Sequence, residues 1–346
     1  KRNIAVRCDC ALVDLVQDPD TFEVFGAIVM EAGARKAIRT RRGLIMAIGG
    51  YEADLQVQRD YYGLDNVRPL GTPYNTGDGL RILQKAGAEM WHLRNQGQSG
   101  GIWPGFRKPE QETAFLRNWM LPSFSWIDGD QTGRRFYGEV NGLQLTHYKE
   151  KKSGRFVDVP FTTAYPVHMI FDATTKAAGA LALPIMGWSA LVHPEGWSDD
   201  NSAEVESGLI KSADSISELA ALIDLDPAVL EEEVAAYNAA CDAGKDTAHD
   251  RAADSLMPIA TGPFYAILVT PSIVCTSGGA RRDMDGRVYD HAGEFIPRLY
   301  EVGELGSMFS DLYQNGSYIT EAMITGRNAA RAALAETPAK ILVAAE

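Results

Sequence analysis

The stretch from Gly293 to Ala330, GEFIPRLYEVGELGSMFSDLYQNGSYITEAMITGRNAA, constrains the fold more than any other part of the chain. It reads as a turn, a short strand ending in glycine, a polar loop and a long helix. That order delivers backbone N–H groups and small residues to a flat or anionic ligand. An earlier apolar run closed by paired glycines, Leu44 to Gly50 (LIMAIGG), reads as a second strand ending at the same place. No Gly-x-Gly-x-x-Gly occurs in the sequence, so these residues are expected to hold part of a dinucleotide pocket and not all of it.

Hydrophobic residues make up 45% of the 346, enough for a large core and one or two domains. Acidic residues outnumber Lys plus Arg by 46 to 33, a formal charge of -13, so binding a phosphate backbone would need a strong local basic patch. Arg39, Arg41 and Arg42, and Arg281 with Arg282, are short clusters in mixed sequence and read as solvated faces. No nucleic-acid partner is expected. Cys8, Cys10, Cys241 and Cys275 are expected to be free thiols, because the one-residue spacing of the first pair disfavours a disulfide. That pair also offers only two of the four ligands of a closed metal site, so no metal is expected. No run approaches the roughly 20 apolar residues of a membrane span. The opening KRNIAVRCDCALVDL has no signal-peptide pattern. The default expectation is a cytoplasmic protein, with export of a longer precursor left open.

Alternation predicts strands over 4–6, 11–16, 24–31 and 37–40, then the apolar strand Leu44 to Ile48. A polar helix is expected over 52–61, and an amphipathic one over Leu80 to Ala88 with Asp78 as its cap. Composition shifts between about residues 96 and 261, where tryptophans and two helices flanking Asp226-Pro227 suggest a separate mixed lobe. A strand over Phe264 to Val269 then leads back to the glycine-rich end. The expected division is 1–102 and 264–346 for one domain and 103–263 for the inserted one.

Read together, LIMAIGG (44–50), NTGDGLRILQKAGA (75–88), GRRFYGE (133–139), ISELAALIDLDPAVLEEEVAAYNAACDAGKD (216–246), GPFYAI (262–267), TSGGARRDMDGRV (276–288) and the LYEVGE to GRNAA block form an ordered series. In order and spacing it resembles the flavoprotein family of fumarate reductases, succinate dehydrogenases and 3-ketosteroid dehydrogenases. The resemblance implies an α/β fold, a Rossmann-like FAD-binding domain interrupted by an α+β cap, with FAD as cofactor. That family's Gly-rich ADP-binding loop lies upstream of these motifs, so the expectation is that this sequence is the later part of a flavoprotein whose upstream part is required. A flavoprotein-derived scaffold without catalysis is the alternative from a different class.

The resemblance also assigns residues. Glu304 would bind the ribityl hydroxyls, since a carboxylate accepts two hydroxyl protons at once. Gly49, Gly50 and Gly303 would let backbone approach the cofactor, and Gly278 with Gly279 would shape the adjoining turn. Asn315, Gly316, Ser317, Tyr318 and Ile319 would form a cofactor-contacting loop before a helix over Thr320 to Leu334. Tyr313 and the Gly316 N–H would polarise a substrate carbonyl, and Tyr265 would line the cleft. Positions where fumarate reductases carry arginine or histidine are here Leu143, Cys275 and Tyr313, which removes counter-charge for two carboxylates. His147, Tyr148, His168 and His193 are lesser candidates for a missing acid, and Arg135 is expected to pair with Glu139 as scaffold. The implied reaction moves a hydride and a proton across a carbon–carbon bond beside an electron-withdrawing group of a small organic substrate. The electron donor or acceptor is open, and a fumarate or succinate oxidoreductase is the alternative enzyme.

Overall fold

The computed structural model describes residues 4–63, 66–93, 103–140, 149–158, 164–183, 196–309 and 317–339. The chain divides into two compact units, one of Lys1–Val57, Tyr74–Gly100 and Cys275–Glu346, the other of Gln58–Pro73 and Gly101–Val274.

The first unit opens with an antiparallel sheet of Cys10–Gln17, Val24–Glu31 and Ala34–Arg39. Its first turn forms because Asp18 Oδ1 accepts from the N–H groups of Asp20 and Thr21 at 3.0 and 2.8 Å, the local bonding that Asx residues favour. Its second turn is the two-residue Ala32-Gly33, both with positive φ (51° and 75°), which matches the twist of the flanking strands. The strand expected over 4–6 is not formed. Ile4 and Val6 are 73% and 83% exposed, and apolar residues with no pairing partner and no buried face gain nothing from an extended ladder.

A second sheet positions the site. Leu44–Met46 runs parallel to Phe295–Glu301, with Leu44, Ile45 and Met46 opposite Leu299, Tyr300 and Glu301, and Arg287–Tyr289 pairs antiparallel on the other side. Met46, Leu299 and Tyr300 are buried in it. The early strand is shorter than its apolar run because hydrogen bonding stops before the chain turns at Gly49. The amphipathic helix occupies Asp78–Lys85 and buries Leu80, Ile82 and Leu83. Asp78 is therefore not its cap: Gly77, at φ 76°, turns the chain, and Asp78 is the first helical residue, its carboxylate meeting the Thr76 hydroxyl at 3.3 Å. A negative charge in the first turn still favours the helix through the dipole. The last helix is Ser317–Ala335 and packs Ala329 against Tyr300 and Val302.

The second unit is built on a mostly antiparallel sheet in the order Phe115–Leu116, Trp103–Phe106, Phe264–Ile273, Val167–Asp172, Trp126–Gly129, with Lys211–Ala213 and Arg68–Pro69 also on the central strand. That central strand is longer than expected because it changes partners. Phe264 to Val269 pairs with Val167–Asp172, and Thr270 to Ser272 continues against Trp103 to Gly105. Two helices, Ile216–Leu222 and Pro227–Asp242, start where Ser215 and Asp226 accept N–H bonds from Glu218 and Ala228 at 3.2 and 2.9 Å. Trp126, Trp197, Phe171 and Tyr265 share one apolar cluster. Buried charges are paired: Arg117 grips both oxygens of Asp128 at 2.9 and 2.8 Å. Arg135 makes the expected contact with Glu139, at 2.7 Å through two nitrogens, and adds Asp246 at 2.8 Å.

Candidate cofactor site

In open α/β sheets a ligand sits beyond the carboxyl ends of parallel strands. The Leu44–Met46 and Phe295–Glu301 strands are parallel neighbours, so both of their carboxyl ends open on one edge of the first unit. Each chain leaves that edge through glycine: Gly49 and Gly303 have φ of 75° and 82°, a region costly for side-chain-bearing residues. Gly50 is required for space instead. A Cβ there would run into the Thr276 hydroxyl and lie 2.9 Å from Glu304 Oε1 and 3.0 Å from Glu52 Oε2.

The groups converging on Gly50 are tied together. The Tyr51 N–H donates to Thr276 Oγ1 at 3.0 Å, and the Thr276 N–H donates to Glu304 Oε1 at 2.8 Å. Glu52, 3% exposed, hydrogen-bonds Glu304 through its carboxyl and receives the Asn75 amide. Burial first, and the neighbouring Glu304 charge second, push the Glu52 carboxyl well above the ordinary carboxylate range. Burial also raises Glu304, opposed by its bonds from Glu52 and the Thr276 N–H. Two carboxyls this close cannot both ionise cheaply, so they hold one proton between them. Beside them the Ser277 and Tyr318 hydroxyls meet at 2.5 Å, and burial raises the Tyr318 phenol.

A second network braces the loop after Gly303. The Arg282 guanidinium donates to the carbonyls of Gly303 and Leu305 at 2.7 and 3.3 Å and to Glu321 at 2.6 Å. Glu321, in the first turns of the last helix, also accepts from the Ser307 hydroxyl at 2.6 Å and the Met308 N–H at 2.9 Å. Glu301, fully buried, is pushed up to about 8 by burial, which outweighs Arg282 and the Ala280 N–H.

Of the residues the sequence singled out, Gly49, Gly50, Gly303 and Glu304 gather at this edge, with Thr276 to Gly279 forming the adjoining turn. The last helix begins at Ser317, so Ser317, Tyr318 and Ile319 belong to its first turn and not to a preceding loop. Ser317 is buried, whereas the Ile319 side chain is 69% exposed, which leaves only its backbone to face a site. Tyr313, Asn315, Gly316, Leu143, His147, Tyr148 and His193 lie outside the described residues. Tyr265, 8% exposed, stacks on Phe171 at 5.4 Å inside the second unit's core. His168 sits on a strand of that unit, its imidazole lowered to about 4 by burial. Glu52 escaped the sequence reading because it opens a polar run that looks like a helix start. The available signal was that each strand's glycine step is followed within two residues by an acid, GGYE and GE. Among the described residues no group of three or more His, Cys, Asp or Glu is placed to hold a metal, and none of the four cysteines is in a disulfide.

The sequence pattern that defines the FAD binding domain family matches residues 1–318. The chain belongs to that family. FAD is its cofactor, and the fold is the Rossmann-like flavoprotein fold with mixed helix and sheet. Among curated relatives of this FAD-binding chain, the digoxin reductase of Eggerthella lenta is 29% identical over 97% of this chain and 60% of that protein. The NADH:acrylate oxidoreductase of Vibrio harveyi is 26% identical over 96% of this chain and 31% of that protein. The chain thus spans 60% or less of the length of these two relatives. Among solved structures, 3-ketosteroid Δ1-dehydrogenase from Sterolibacterium denitrificans, in complex with 1,4-androstadiene-3,17-dione, superposes with a TM-score of 0.73 at 22% identity. It covers 94% of this chain and 59% of that one, a likeness of fold.

The donor set fits a flavin's polyhydroxyl chain. Glu304 is only half-buried, and its carboxylate has acceptor capacity beyond the Thr276 N–H and Glu52, so hydroxyl donors have a partner there. Gly50 keeps the strand end thin enough for close approach.

Proposed function

We propose that this chain is the catalytic body of an FAD-dependent oxidoreductase that reduces or forms a carbon–carbon double bond beside a carbonyl or similar activating group of a small organic substrate. The observation that carries the reading is the pair of parallel strands whose glycine exits converge on Glu304. Bound FAD supplies the two-electron redox chemistry. Glu304 accepts the ribityl hydroxyls, while Gly49, Gly50 and Gly303 admit the cofactor to the strand ends. The N-terminus of the last helix, with Ser317, Tyr318 and the backbone of Ile319, adds positive potential beside the ring, and Asn315 and Gly316 extend that contact. The unit of Lys1–Val57, Tyr74–Gly100 and Cys275–Glu346 is the FAD-binding domain and that of Gln58–Pro73 and Gly101–Val274 the cap, so the cap takes in the strand Phe264–Ile273 that the sequence assigned to the other domain. The Tyr313 hydroxyl and the Gly316 N–H polarise the substrate carbonyl, and Tyr265 supports the cap from its core.

Leu143, Cys275 and Tyr313 stand where charge recognition of a dicarboxylate would be needed, which favours less charged substrates. That two relatives are a digoxin reductase and an acrylate oxidoreductase agrees with this reaction class. The test is anaerobic stopped-flow reoxidation of the chemically reduced flavoprotein by fumarate, neutral enones and arylacrylates. At least one neutral enone or arylacrylate should outpace fumarate; fumarate faster than every member of the panel would reject the substrate class. A full-length protein with neither bound flavin nor flavin rebinding would favour a non-catalytic scaffold. In the FAD-loaded protein, Tyr313→Phe should slow the half-reaction by about 10²-fold, the effect of losing one donor to developing negative charge. An unchanged rate removes Tyr313 from the site.

A further inference from the structure

Glu52 has no role in the proposed function, yet it is an acid only 3% exposed at the strand ends. It lies two residues beyond Gly50, and its carboxyl meets the side chains of Glu304 and Asn75, with an oxygen of each carboxyl gathered over Gly50. The groups that face its partner are the Thr276 N–H, whose bond is 2.8 Å long, and the Tyr318 phenol. Cys275 and Glu321 lie behind that phenol, and neither supplies a cation. A hydrogen bond between two carboxyls requires a proton on one of them. With the more exposed Glu304 already accepting a backbone N–H, the buried Glu52 is the member that carries it.

We propose that Glu52 is a cofactor-positioning residue, the proton-bearing half of an acid–carboxylate pair that presents one negative charge, and not two, to the flavin's hydroxyl chain. The proposal rests on the reading that FAD binds at this edge. The Glu52 proton aims Glu304, and cofactor binding closes the pair from water, so the bound state holds the proton more tightly than the free protein does. Binding is then linked to proton uptake, and affinity falls once the medium removes the shared proton.

The test is equilibrium FAD titration of the full chain between about pH 6 and pH 9, with flavin fluorescence as readout, a window above the ordinary carboxylate range. Wild-type affinity should fall by up to about tenfold per pH unit above the titration of the pair. Glu52→Gln keeps a donor toward Glu304 and cannot ionise. It should bind FAD at pH 6 as wild type does and lose the slope. Glu52→Ala, lacking the donor, should bind more weakly at every pH. An equal slope in wild type and Glu52→Gln would overturn the proposal, as would weak binding by Glu52→Gln at pH 6.

Should this chain bind no FAD at any pH by itself, the titration is made on the protein that includes the upstream part, and two flavin-free readouts already decide the pair. Because the folded protein raises the Glu52 carboxyl, the associated stability is present at low pH and is lost as pH rises through the folded value. Urea unfolding should therefore show wild type losing stability relative to Glu52→Gln toward alkaline pH, a comparison that cancels Glu301. Infrared difference spectra should show a protonated-carboxyl band in wild type that Glu52→Gln lacks. Parallel stability curves without that band would overturn the pair.

Discussion

Gly50 sets how closely a strand end, two carboxyls and a threonine hydroxyl can gather, because any Cβ there overlaps the Thr276 side chain. Gly50→Ala should destabilise the protein by about 1–3 kcal/mol through overpacking and weaken FAD retention in parallel, read by urea denaturation and flavin titration. Normal stability with normal FAD affinity would show that the strand end has room to spare. Glu301 gives a pH signature of its own. Its folded carboxyl lies at about 8, above its unfolded value, so its favourable neutral state is fully present at low pH and is lost as pH climbs through that value. Glu301→Gln should flatten that part of the alkaline decline in unfolding free energy; an unaltered profile would mean the carboxyl is ionised in the fold. At this scale the family resemblance singled out Glu304, and the structure places it beside Gly50 and Thr276 at the strand ends. Glu52 stayed hidden because its partner is 252 positions away and only the parallel register of the two strands brings them together.

The last helix and the loop before it are joined through Arg282 and Glu321, both buried, so the loop's carbonyls and the helix's first turns share one charged anchor. Removing one partner leaves the other charge buried and uncompensated. Glu321→Ala should cost about 3–5 kcal/mol. Hydrogen exchange should quicken at the Gly303 to Met308 amides before the rest of the first unit; uniform loss of protection would argue that the anchor is not local. Elements were legible where periodicity and caps agree, as in Val24–Glu31 and the helix that starts at Pro227. They were misread where tertiary pairing decides. Phe264–Ile273 runs on through Thr270, Pro271 and Ser272 because new partner strands meet it, and Ile4 to Val6 stays irregular for lack of any.

At the scale of the whole molecule, two compact units carry different kinds of glue. The first is organised around strand-end glycines and buried acids, and the second around aromatic packing with paired charges such as Arg135 between Glu139 and Asp246. Arg135→Ala should destabilise the second unit by about 3–5 kcal/mol, measured as a lower midpoint in tryptophan-detected unfolding; an unshifted midpoint would mean that Arg251, 3.5 Å from Glu139, suffices alone. The fold class and the aromatic lobe were readable from motif order and composition. Which residues complete the substrate side was not, because Tyr313 and Gly316 rest on spacing alone. Among the described residues no helix is long and apolar enough to cross a membrane. The central claim is that FAD is held at the glycine exits of the two parallel strands by Glu304. Equilibrium FAD titration of wild type against Glu304→Ala, with circular dichroism to confirm an intact fold, tests it most directly. The account expects affinity about 10–100-fold weaker in the variant, the cost of losing a charged acceptor. Equal affinity in a folded variant would contradict it.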